Sequence, residues 1–383
     1  MNILTFDYEY PPVGGGGGVV HALIVEELAK NHRVCVITSA YQDLPRTEVR
    51  GGVEVHRVPV LGRKDVNSAS LLSMLSYPPL AWKAAARMMR KEKFDIINSH
   101  FAVPTGPGSL PAARIAKIPH VLSLHGGDIY DPSKKLSPHR LPVVRSAVNW
   151  VLRRSDAVVA QSSNTRENAY RYYRYRGPIE VIPLGIRQPH VATASRAELG
   201  LAEDQFIAIT VGRLVKRKGI DQLLAALKRD GCSQVQLIIV GDGPEREPLE
   251  RLSGELGLTD RVRFAGRVEE ELKWQLLRCA DIYVSSTLHE GFGLVYLEGM
   301  AAGLPIVTFD HGGQVDFLRD GETGSLVTAG DTSGLAGAIA RLADDPETVA
   351  RIGAANLQRA PNHRIEECAG QYEKLFERLI AEA

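Results

Sequence analysis

Short apolar runs alternate with amphipathic stretches along the first half of this chain. The amphipathic stretches, near Val20–Ala29 and Ala81–Lys91, space their apolar residues as a helix does. The apolar runs predict strands at Met1–Phe6, Arg33–Thr38, Val53–Val58, Asp95–Ser99, His120–Leu124, Ala157–Ala160 and Ile179–Ile182. Because continuous apolar strands are buried on both faces, the pattern predicts a parallel sheet covered by helices.

The same alternation begins again after the proline-containing stretch Pro183–Pro189. It predicts further strands at Phe206–Val211, Gln236–Val240, Val262–Ala265, Ile282–Ser285 and Ile306–Thr308. A chain of 383 residues exceeds what one hydrophobic core usually supports. We therefore predict an α/β protein of two Rossmann-like domains, residues 1–185 and 186–365, facing across a cleft. Ligands of such sheets bind beyond the carboxyl ends of the strands.

The composition indicates the cellular compartment and shows that the two halves of the chain differ in net charge. The four cysteines are scattered without disulfide or metal-ligand spacing, and the first residues read as a strand rather than a signal peptide. A cytoplasmic protein is therefore expected. Residues 1–185 carry 24 Lys and Arg against 15 Asp and Glu, a net charge of +9, whereas the remainder carries −8. The basic half suits an anionic acceptor or membrane surface, or is simply a solvated surface.

The segment from Glu290 to Pro305 holds the most informative chemistry. Glu290 follows a predicted strand, and Glu298 lies on the helix that comes next. Gly291–Gly293 opens that helix, whose free N–H groups suit a phosphate. Two carboxylates at this spacing can hold an extended ligand, act as the acid and nucleophile of a glycosidase, or, for Glu298, form a core-edge salt bridge.

A basic loop follows the first strand of the second half. Arg213 and Lys218 lie at the carboxyl end of Phe206–Val211, where both can bind a diphosphate. A glycosidase has no need of such a loop, so a sugar nucleotide is the better ligand. No Asp-x-Asp pair is positioned for a metal, so cationic side chains and the helix N-terminus are expected to stabilise a leaving diphosphate.

Two further motifs follow strands of the first half. The glycine run ending at Gly18 opens the first helix, and its backbone can approach a phosphate or a sugar; the alternative is a surface loop. His125 is followed by two glycines and can hydrogen-bond a sugar hydroxyl or a developing charge, although a lone histidine is more often structural. His100 has similar placement and is a secondary candidate.

Taken in order, these motifs resemble the retaining GT-B glycosyltransferases of family 4. The spacing of Glu290 and Glu298 matches the two-glutamate signature of that family, followed by Ala301–Pro305. The resemblance runs nearly the full chain. The other matching motifs, in the family's order, are Pro11–Gly18, His125–Asp128, Gly212–Gly219, Val240–Pro244, Phe264–Arg267 and Asp320–Gly324.

The resemblance implies roles for individual residues. Glu298 would bind the donor ribose, and Glu290 and His125 the transferred sugar as the catalytic pair. Arg213 and Lys218 would hold the diphosphate. The backbone of Val268 would contact the donor base. The phosphates would be contacted by the backbone of Phe292, Gly293 and Leu294, and by that of Gly16 or Gly17. A C-terminal helix near Glu366–Ile380 would return to the first, acceptor-binding domain, and residues 186–365 would bind the donor.

The activity implied is that of a hexosyltransferase needing neither metal nor cofactor. It would move a sugar from a UDP- or GDP-linked donor to a hydroxyl on a glycan, lipid-linked or small-molecule acceptor, in cell-surface glycan, polysaccharide or glycolipid synthesis. A sugar-nucleotide 2-epimerase of similar fold and a non-catalytic sugar-nucleotide binding protein are the alternatives. No nucleic-acid partner is expected. Residues 62–92 mix apolar and cationic side chains, typical of peripheral contact with an anionic membrane or of an ordinary packed helix.

Overall fold

The computed structural model describes residues 1–63, 69–133 and 137–383, and the chain divides into two units. The first comprises Met1–Arg187 together with Arg364–Ala383, and the second comprises Gln188–His363. The divisions lie within two residues of the positions 185 and 365 chosen from the sequence. Which unit binds the donor and which the acceptor stays a prediction.

The first unit is built on an eight-stranded sheet with the order β3-β4-β2-β1-β5-β6-β7-β8. Neighbouring strands are parallel except for the β3–β4 pair, which is antiparallel. The interior strands carry buried apolar residues, which explains why the sequence pattern found them. The strands are β1 (Asn2–Phe6), β2 (Arg33–Ser39), β3 (Thr47–Arg50), β4 (Val53–Val58), β5 (Ile96–His100), β6 (His120–Leu124), β7 (Ala157–Ala160) and β8 (Glu180–Val181).

Among the residues described up to Arg187, five α-helices accompany this sheet. The first begins at Gly16, four residues before the predicted start, because the glycines form its opening turn. The second begins at Leu71 rather than near Ala81, because Ser70 caps its first turn and the helix continues through two prolines that favoured a break. The helices are α1 (Gly16–Leu28), α2 (Leu71–Met89), α3 (Gly106–Ala116), α4 (Pro142–Arg154) and α5 (Ser163–Tyr173).

The second unit has a six-stranded parallel sheet with the order β11-β10-β9-β12-β13-β14. Its strands are β9 (Phe206–Val211), β10 (Val235–Val240), β11 (Val262–Gly266), β12 (Ile282–Val284), β13 (Ile306–Phe309) and β14 (Gly324–Val327). Its helices are α6 (Ile220–Leu227), α7 (Arg246–Glu255), α8 (Glu270–Cys279), α9 (Leu294–Ala301), α10 (Thr332–Ala343) and α11 (Pro346–Arg359). The two parallel-sheet units confirm the predicted Rossmann-like fold class.

The final helix, α12 (Ile365–Glu382), belongs to the first unit and packs against α1. Its apolar stripe, including Tyr372, Leu375 and Phe376, is buried. In the described part of the chain, no helix combines the length and the apolar character needed to cross a bilayer.

Two strands were absent from the sequence-based prediction. β3 is a mostly exposed, polar edge strand, so it lacks the apolar run that marks a buried one. β14 begins with Gly324, and glycine is depleted in strands. The structure shows why glycine stands there, because a Cβ at that position would lie 1.9 Å from the carbonyl oxygen of Ile306 on β13.

In each sheet, successive strands are added first on one side of the starting strand and then on the other, so the strand order reverses at one position. In the first unit β1 lies between β2 and β5, and in the second β9 lies between β10 and β12. Such reversals open a crevice at the carboxyl ends of the two strands involved. The loops that follow β1, β5, β9 and β12 are therefore the places to look for ligand-binding groups.

Candidate functional site

In the second unit, the loop after β9 and the loop after β12 meet at the sheet reversal. Lys218 from the first loop contacts Glu290 from the second, with Nζ 2.6 Å from Oε2. Arg217 donates to the carbonyl oxygen of His289 at 3.2 Å and lies 4.0 Å from the Glu290 carboxylate. Two residues assigned separately from the sequence, one to the diphosphate and one to the sugar, are thus direct neighbours.

The environment of Glu290 keeps its carboxylate ionised. Burial alone would raise its pKa, but the nearby Lys218 and Arg217 cations outweigh burial and leave the pKa below its usual value. The backbone is also fixed, because the Glu290 carbonyl accepts a hydrogen bond from Gly313 N–H at 2.9 Å. A carboxylate held in this way can accept hydrogen bonds from sugar hydroxyls.

Glu298 lies on α9, one turn into the helix. Its Oε1 accepts a hydrogen bond from Lys273 at 2.8 Å, whereas its Oε2 is buried and has no partner among the described residues. Lys273 also contacts Glu270, at 2.7 Å. Burial raises the pKa of Glu298, with Lys273 only partly opposing it. An unpartnered buried acceptor is costly, so a ligand donor reaching Oε2 would be favoured.

Three consecutive residues form the start of α9. Gly293 has φ of +95° and precedes Leu294, the first helical residue, while Phe292 is buried against Phe317 at 5.0 Å between ring centroids. A side chain at position 293 would meet the Tyr296 ring at 2.4 Å. Glycine therefore lets the chain turn sharply and leaves the first N–H groups of the helix uncovered.

Arg213 and Val268 complete the residues predicted in this unit. Arg213 is exposed and lines a small pocket at the carboxyl end of β9 together with Gly212, Lys218 and Thr287. Val268 is half-buried in the loop between β11 and α8, outside the lining of that pocket. The structure thus brings Arg213, Lys218 and Glu290 into one neighbourhood, and places Val268 in the loop after β11, two strands away from β9.

In the first unit, the glycine run forms the N-terminus of α1. Gly15 is the residue before the helix, and its N–H donates to the Glu9 carboxylate at 3.0 Å. Gly16 and Gly17 form the first turn. A Cβ at position 16 would meet nothing within 4 Å, whereas one at position 17 would lie 2.5 Å from the Phe101 ring. Gly17 therefore marks a close approach between α1 and the end of β5.

His125 follows β6, and hydrogen bonds fix its backbone. Its N–H donates to Asp128 Oδ1 at 3.0 Å, and its carbonyl accepts from Gln161 Nε2 at 2.6 Å. Asp128 also accepts from Ala102 N–H, at 2.6 Å. Burial lowers the pKa of His125 to about 3, so its imidazole is neutral at physiological pH.

His100, the secondary candidate, contacts His125 directly. Its Nδ1 lies 2.8 Å from Nε2 of His125 at the end of β5. The next residue, Phe101, has φ of +72°, a left-handed conformation that is uncommon for a non-glycine residue, and its ring packs on His125 at 4.5 Å. Unusual backbone of this kind is often found at functional sites.

The sequence-based prediction did not name several residues that contact the candidate site residues. Lys273, which holds Glu298, lies in a polar stretch of α8 that matches no motif. Tyr372 approaches His100 only through the tertiary packing of α12, whereas Asn98 lies two residues before His100 on β5 and no motif marks it. The backbone strain at Phe101 has no counterpart in the sequence, because nothing marks a phenylalanine for positive φ.

One group of potential metal ligands occurs in the described part of the chain. Ligand atoms of Cys35, Glu54 and His56 lie within 4.8 Å of one another on β2 and β4. Glu54 is already paired with Arg33, at 3.1 Å, and burial raises the pKa of the Cys35 thiol to about 12. A protonated thiol beside a guanidinium is a poor cation site, and the group lies mid-strand, away from the ligand-binding loops.

Comparison with known proteins matches both halves of the chain to glycosyltransferase families. The family described as "Glycosyltransferase Family 4" matches residues 13–188, and "Glycosyl transferases group 1" matches residues 191–359. The alpha-maltose-1-phosphate synthase of Mycobacterium tuberculosis is 31% identical, over 94% of this chain and 94% of its own.

Solved structures give the same fold. The sucrose-phosphate synthase of Thermosynechococcus elongatus superimposes with a TM-score of 0.86 at 24% identity, covering both chains fully. HepE of Anabaena, in complex with UDP and glucose, superimposes with a TM-score of 0.75 at 24% identity, covering 99% of this chain and 100% of that one. At these identities the likeness establishes the fold, which is the GT-B fold of these enzymes.

Proposed function

This chain belongs to family 4 of the glycosyltransferases, and from that premise we propose a retaining transfer of a hexosyl group from a nucleoside-diphosphate sugar to a hydroxyl acceptor. That it is a glycosyltransferase follows from the family. The nucleotide, the stereochemistry and the lack of a metal requirement are the proposed parts.

The observation that carries the proposal is the pair of lysine-held glutamates in the second unit. Glu290 is paired with Lys218, and Glu298 with Lys273, leaving one buried Glu298 oxygen without a partner. A ribose has two hydroxyls that can donate to such an oxygen, and a hexose has several that can donate to Glu290. Cationic groups at Arg213 and Lys218, with the α9 N-terminus, suit the diphosphate between them.

In the proposed reaction the bond between the anomeric carbon and the diphosphate oxygen breaks. A new bond to the acceptor oxygen forms on the same face, and the acceptor proton passes to the leaving diphosphate. Lys218, Arg213 and the helix N-terminus would stabilise the charge that develops on that leaving group. Because side chains and backbone would supply this stabilisation, we propose that transfer proceeds in the presence of EDTA.

The donor nucleotide is proposed as UDP or GDP. The UDP complex of HepE supports a uridine donor for a protein of this fold. Val268 is proposed to meet the base through its backbone, which discriminates weakly between bases. A thermal-shift screen of UDP, GDP and ADP sugars identifies the donor, because a ligand that binds the native state raises its melting temperature.

Turnover of the donor tests the site assignment. Glu290→Ala and Arg213→Ala are expected to lose most of their activity, while Glu322→Gln, an exposed carboxylate of the same unit, retains it. Full activity in both site variants would show that the site is elsewhere. Conversion of the donor without acceptor would favour the epimerase alternative, and binding without turnover across many acceptors a sensor.

We also propose that the first unit contacts an anionic membrane or lipid-linked acceptor. Three leucines at the start of α2, Leu71, Leu72 and Leu75, are 55–70% exposed, and Lys83 and Arg87 follow on the same helix. Residues 64–68 of the predicted segment lie outside the described residues. We expect the protein to bind anionic vesicles, and we expect that binding to weaken with salt and in the double variant Leu72→Ser/Leu75→Ser. Binding that does not depend on lipid charge or on these substitutions would contradict the proposal.

A further inference from the structure

A continuous chain of polar side chains runs through the core of the first unit and ends at His125. Tyr372 Oη on α12 lies 3.1 Å from Ser123 Oγ, which lies 3.0 Å from Asn98 Oδ1. Asn98 Nδ2 lies 3.0 Å from His100 Nε2, and His100 Nδ1 lies 2.8 Å from His125 Nε2. The first four residues are at most 2% exposed. We call these five residues the histidine relay.

The hydroxyl of Tyr372 sets the direction of donation. Burial raises its pKa, so the phenol keeps its proton, and Ser123 Oγ is its only acceptor within the described ranges. Ser123 therefore uses its own proton toward Asn98 Oδ1. This orients the amide with its nitrogen toward His100, so that Nε2 of His100 must accept.

The two imidazoles pass the same direction onward. Burial lowers the pKa of both His100 and His125, so each carries one proton. With Nε2 of His100 accepting, its proton is on Nδ1, which donates to Nε2 of His125. The proton of His125 is then on Nδ1. Reversing every donor would leave the Tyr372 hydroxyl proton buried without an acceptor, at a cost of about 1–3 kcal/mol.

The end of the relay faces the N-terminus of α1. His125 Nδ1 is buried and has no partner among residues 1–63, 69–133 and 137–383. A methyl group placed on Gly17 would lie 3.6 Å from that nitrogen, so only a glycine leaves the space between them unoccupied. The Phe101 ring also lies next to this space, 4.5 Å from the imidazole between ring centroids and 2.5 Å from a Cβ placed on Gly17.

We propose that Tyr372, Ser123, Asn98 and His100 are positioning residues that fix His125 as the Nδ1–H tautomer, so that it donates a hydrogen bond to an oxygen of the bound sugar nucleotide. His125 then orients the sugar and does not take a proton from the acceptor. The identity of the ligand oxygen rests on the proposed function. The tautomer is a property of the free protein and can be measured without any ligand.

Nitrogen-15 NMR of histidine-labelled protein tests the tautomer directly, with the His125 signals assigned by their loss in His125→Ala. The wild type is expected to show one neutral form protonated at Nδ1. Tyr372→Phe removes the group that sets the direction, and Asn98→Leu breaks the relay, so both are expected to show a mixture of tautomers. Ser99→Ala is the matched control, because Ser99 is equally buried on β5 but contacts His120 instead.

Protonation of His125 at Nε2 in the wild type would overturn the proposal. So would an unchanged Nδ1–H form in both Tyr372→Phe and Asn98→Leu. Because the first of these variants removes only one hydroxyl, the test does not depend on the folding of the second.

Kinetics separate a positioning role from a structural one. Asn98→Leu is expected to lower kcat/KM by about 2- to 10-fold, the range of one neutral hydrogen bond. In the His125→Ala background the same substitution should have little further effect, since Asn98 acts through His125. Equal losses in both backgrounds would contradict the relay. If the wild type turned over no donor, the proposed function would fail while the NMR result still decided the tautomer.

Discussion

At the scale of single residues, the pKa values of the two signature glutamates are shifted in opposite directions. Lys218 and Arg217 together outweigh burial at Glu290 and lower its pKa. At Glu298 burial prevails and the pKa rises, because Lys273, the cation that opposes burial there, is shared with Glu270. Glu290 is therefore suited to stay charged beside a sugar, and Glu298 is suited to accept hydrogen bonds from hydroxyls through its unpartnered Oε2.

Substitution of Glu298 by glutamine tests the role of that free oxygen. Hydrogen bonds to charged groups contribute about 1.5–3 kcal/mol, so Glu298→Gln should weaken donor binding by roughly tenfold or more. Titration calorimetry with the donor and with the free nucleoside diphosphate should show the same loss for both. A loss limited to the intact sugar nucleotide would place Glu298 at the sugar rather than at the ribose.

Substitution of Lys218 tests the charge state of Glu290. In Lys218→Met the largest group opposing burial is lost and Arg217 and His289 remain, so the pKa of Glu290 should rise and donor affinity should fall as the pH is lowered from 8 to 5. In the wild type the lowered pKa keeps the carboxylate charged throughout this window. Lys216→Met, an exposed lysine of the same loop, is the control. Identical pH profiles for Lys218→Met and wild type would refute the pairing.

The sequence predicts which residues line the site better than it predicts how they pair. Glu290 and Lys218 were each placed at the end of an apolar strand, and the parallel sheet brings those ends together. Their 2.6 Å contact depends on loop conformations 72 residues apart, which no periodicity encodes. Lys273 and Tyr372 carry no local signal, since each acquires its role from a helix that packs against a distant strand.

At the scale of elements, glycines decide where the ligand-facing helices begin. The backbone of Gly293 is left-handed at φ of +95°, and a side chain there would collide with Tyr296. The glycine run forms the start of α1. The helical periodicity misplaced that start by four residues, because glycines carry no apolar signal. Four strands, β4, β6, β7 and β9, have the bounds that the sequence predicted.

Gly293→Ala tests this account against a matched glycine. It is expected to destabilise the protein by about 1–3 kcal/mol, from the unfavourable conformation and the contact with Tyr296, and to abolish donor binding. Gly254→Ala in α7 meets nothing within 4 Å and has ordinary helical backbone, so it should stabilise by about 0.5–1 kcal/mol. Urea denaturation measures both. Equal effects of the two substitutions would contradict the role of the turn at Gly293.

At the scale of the whole molecule, each unit carries its polar groups at the reversal point of its sheet. The histidines cluster in the first unit, and burial lowers the pKa of each member of a group of four: His21, His100, His120 and His125. The cost of burying them neutral appears only when the unfolded chain can protonate them.

The protein should therefore lose stability in mild acid. Below pH 6.5 the unfolded histidines bind protons that the folded ones do not, so the free energy of unfolding falls by about 1.4 kcal/mol per pH unit for each net proton. Burial raises the pKa of Asp7 and raises that of Asp128 to about 6. Both carboxyls therefore bind protons in the folded state at a higher pH than in the unfolded chain, and they offset part of the loss, Asp128 below about pH 6.

Urea denaturation at pH 7 and pH 5 measures this balance, and the midpoint should be lower at pH 5. His120→Gln removes one of the four imidazoles outside the ligand-facing loops and should reduce the dependence on pH. Equal or greater stability at pH 5 would show that the imidazoles are not held neutral.

The most direct test of the central claim is proton NMR of the reaction between the protein, its donor sugar nucleotide and an acceptor in the presence of EDTA. We predict release of the nucleoside diphosphate and a new anomeric signal with the configuration of the donor, both lost in Glu290→Ala. An inverted anomeric signal, an absolute requirement for a divalent metal, or conversion of the donor without an acceptor would contradict the account.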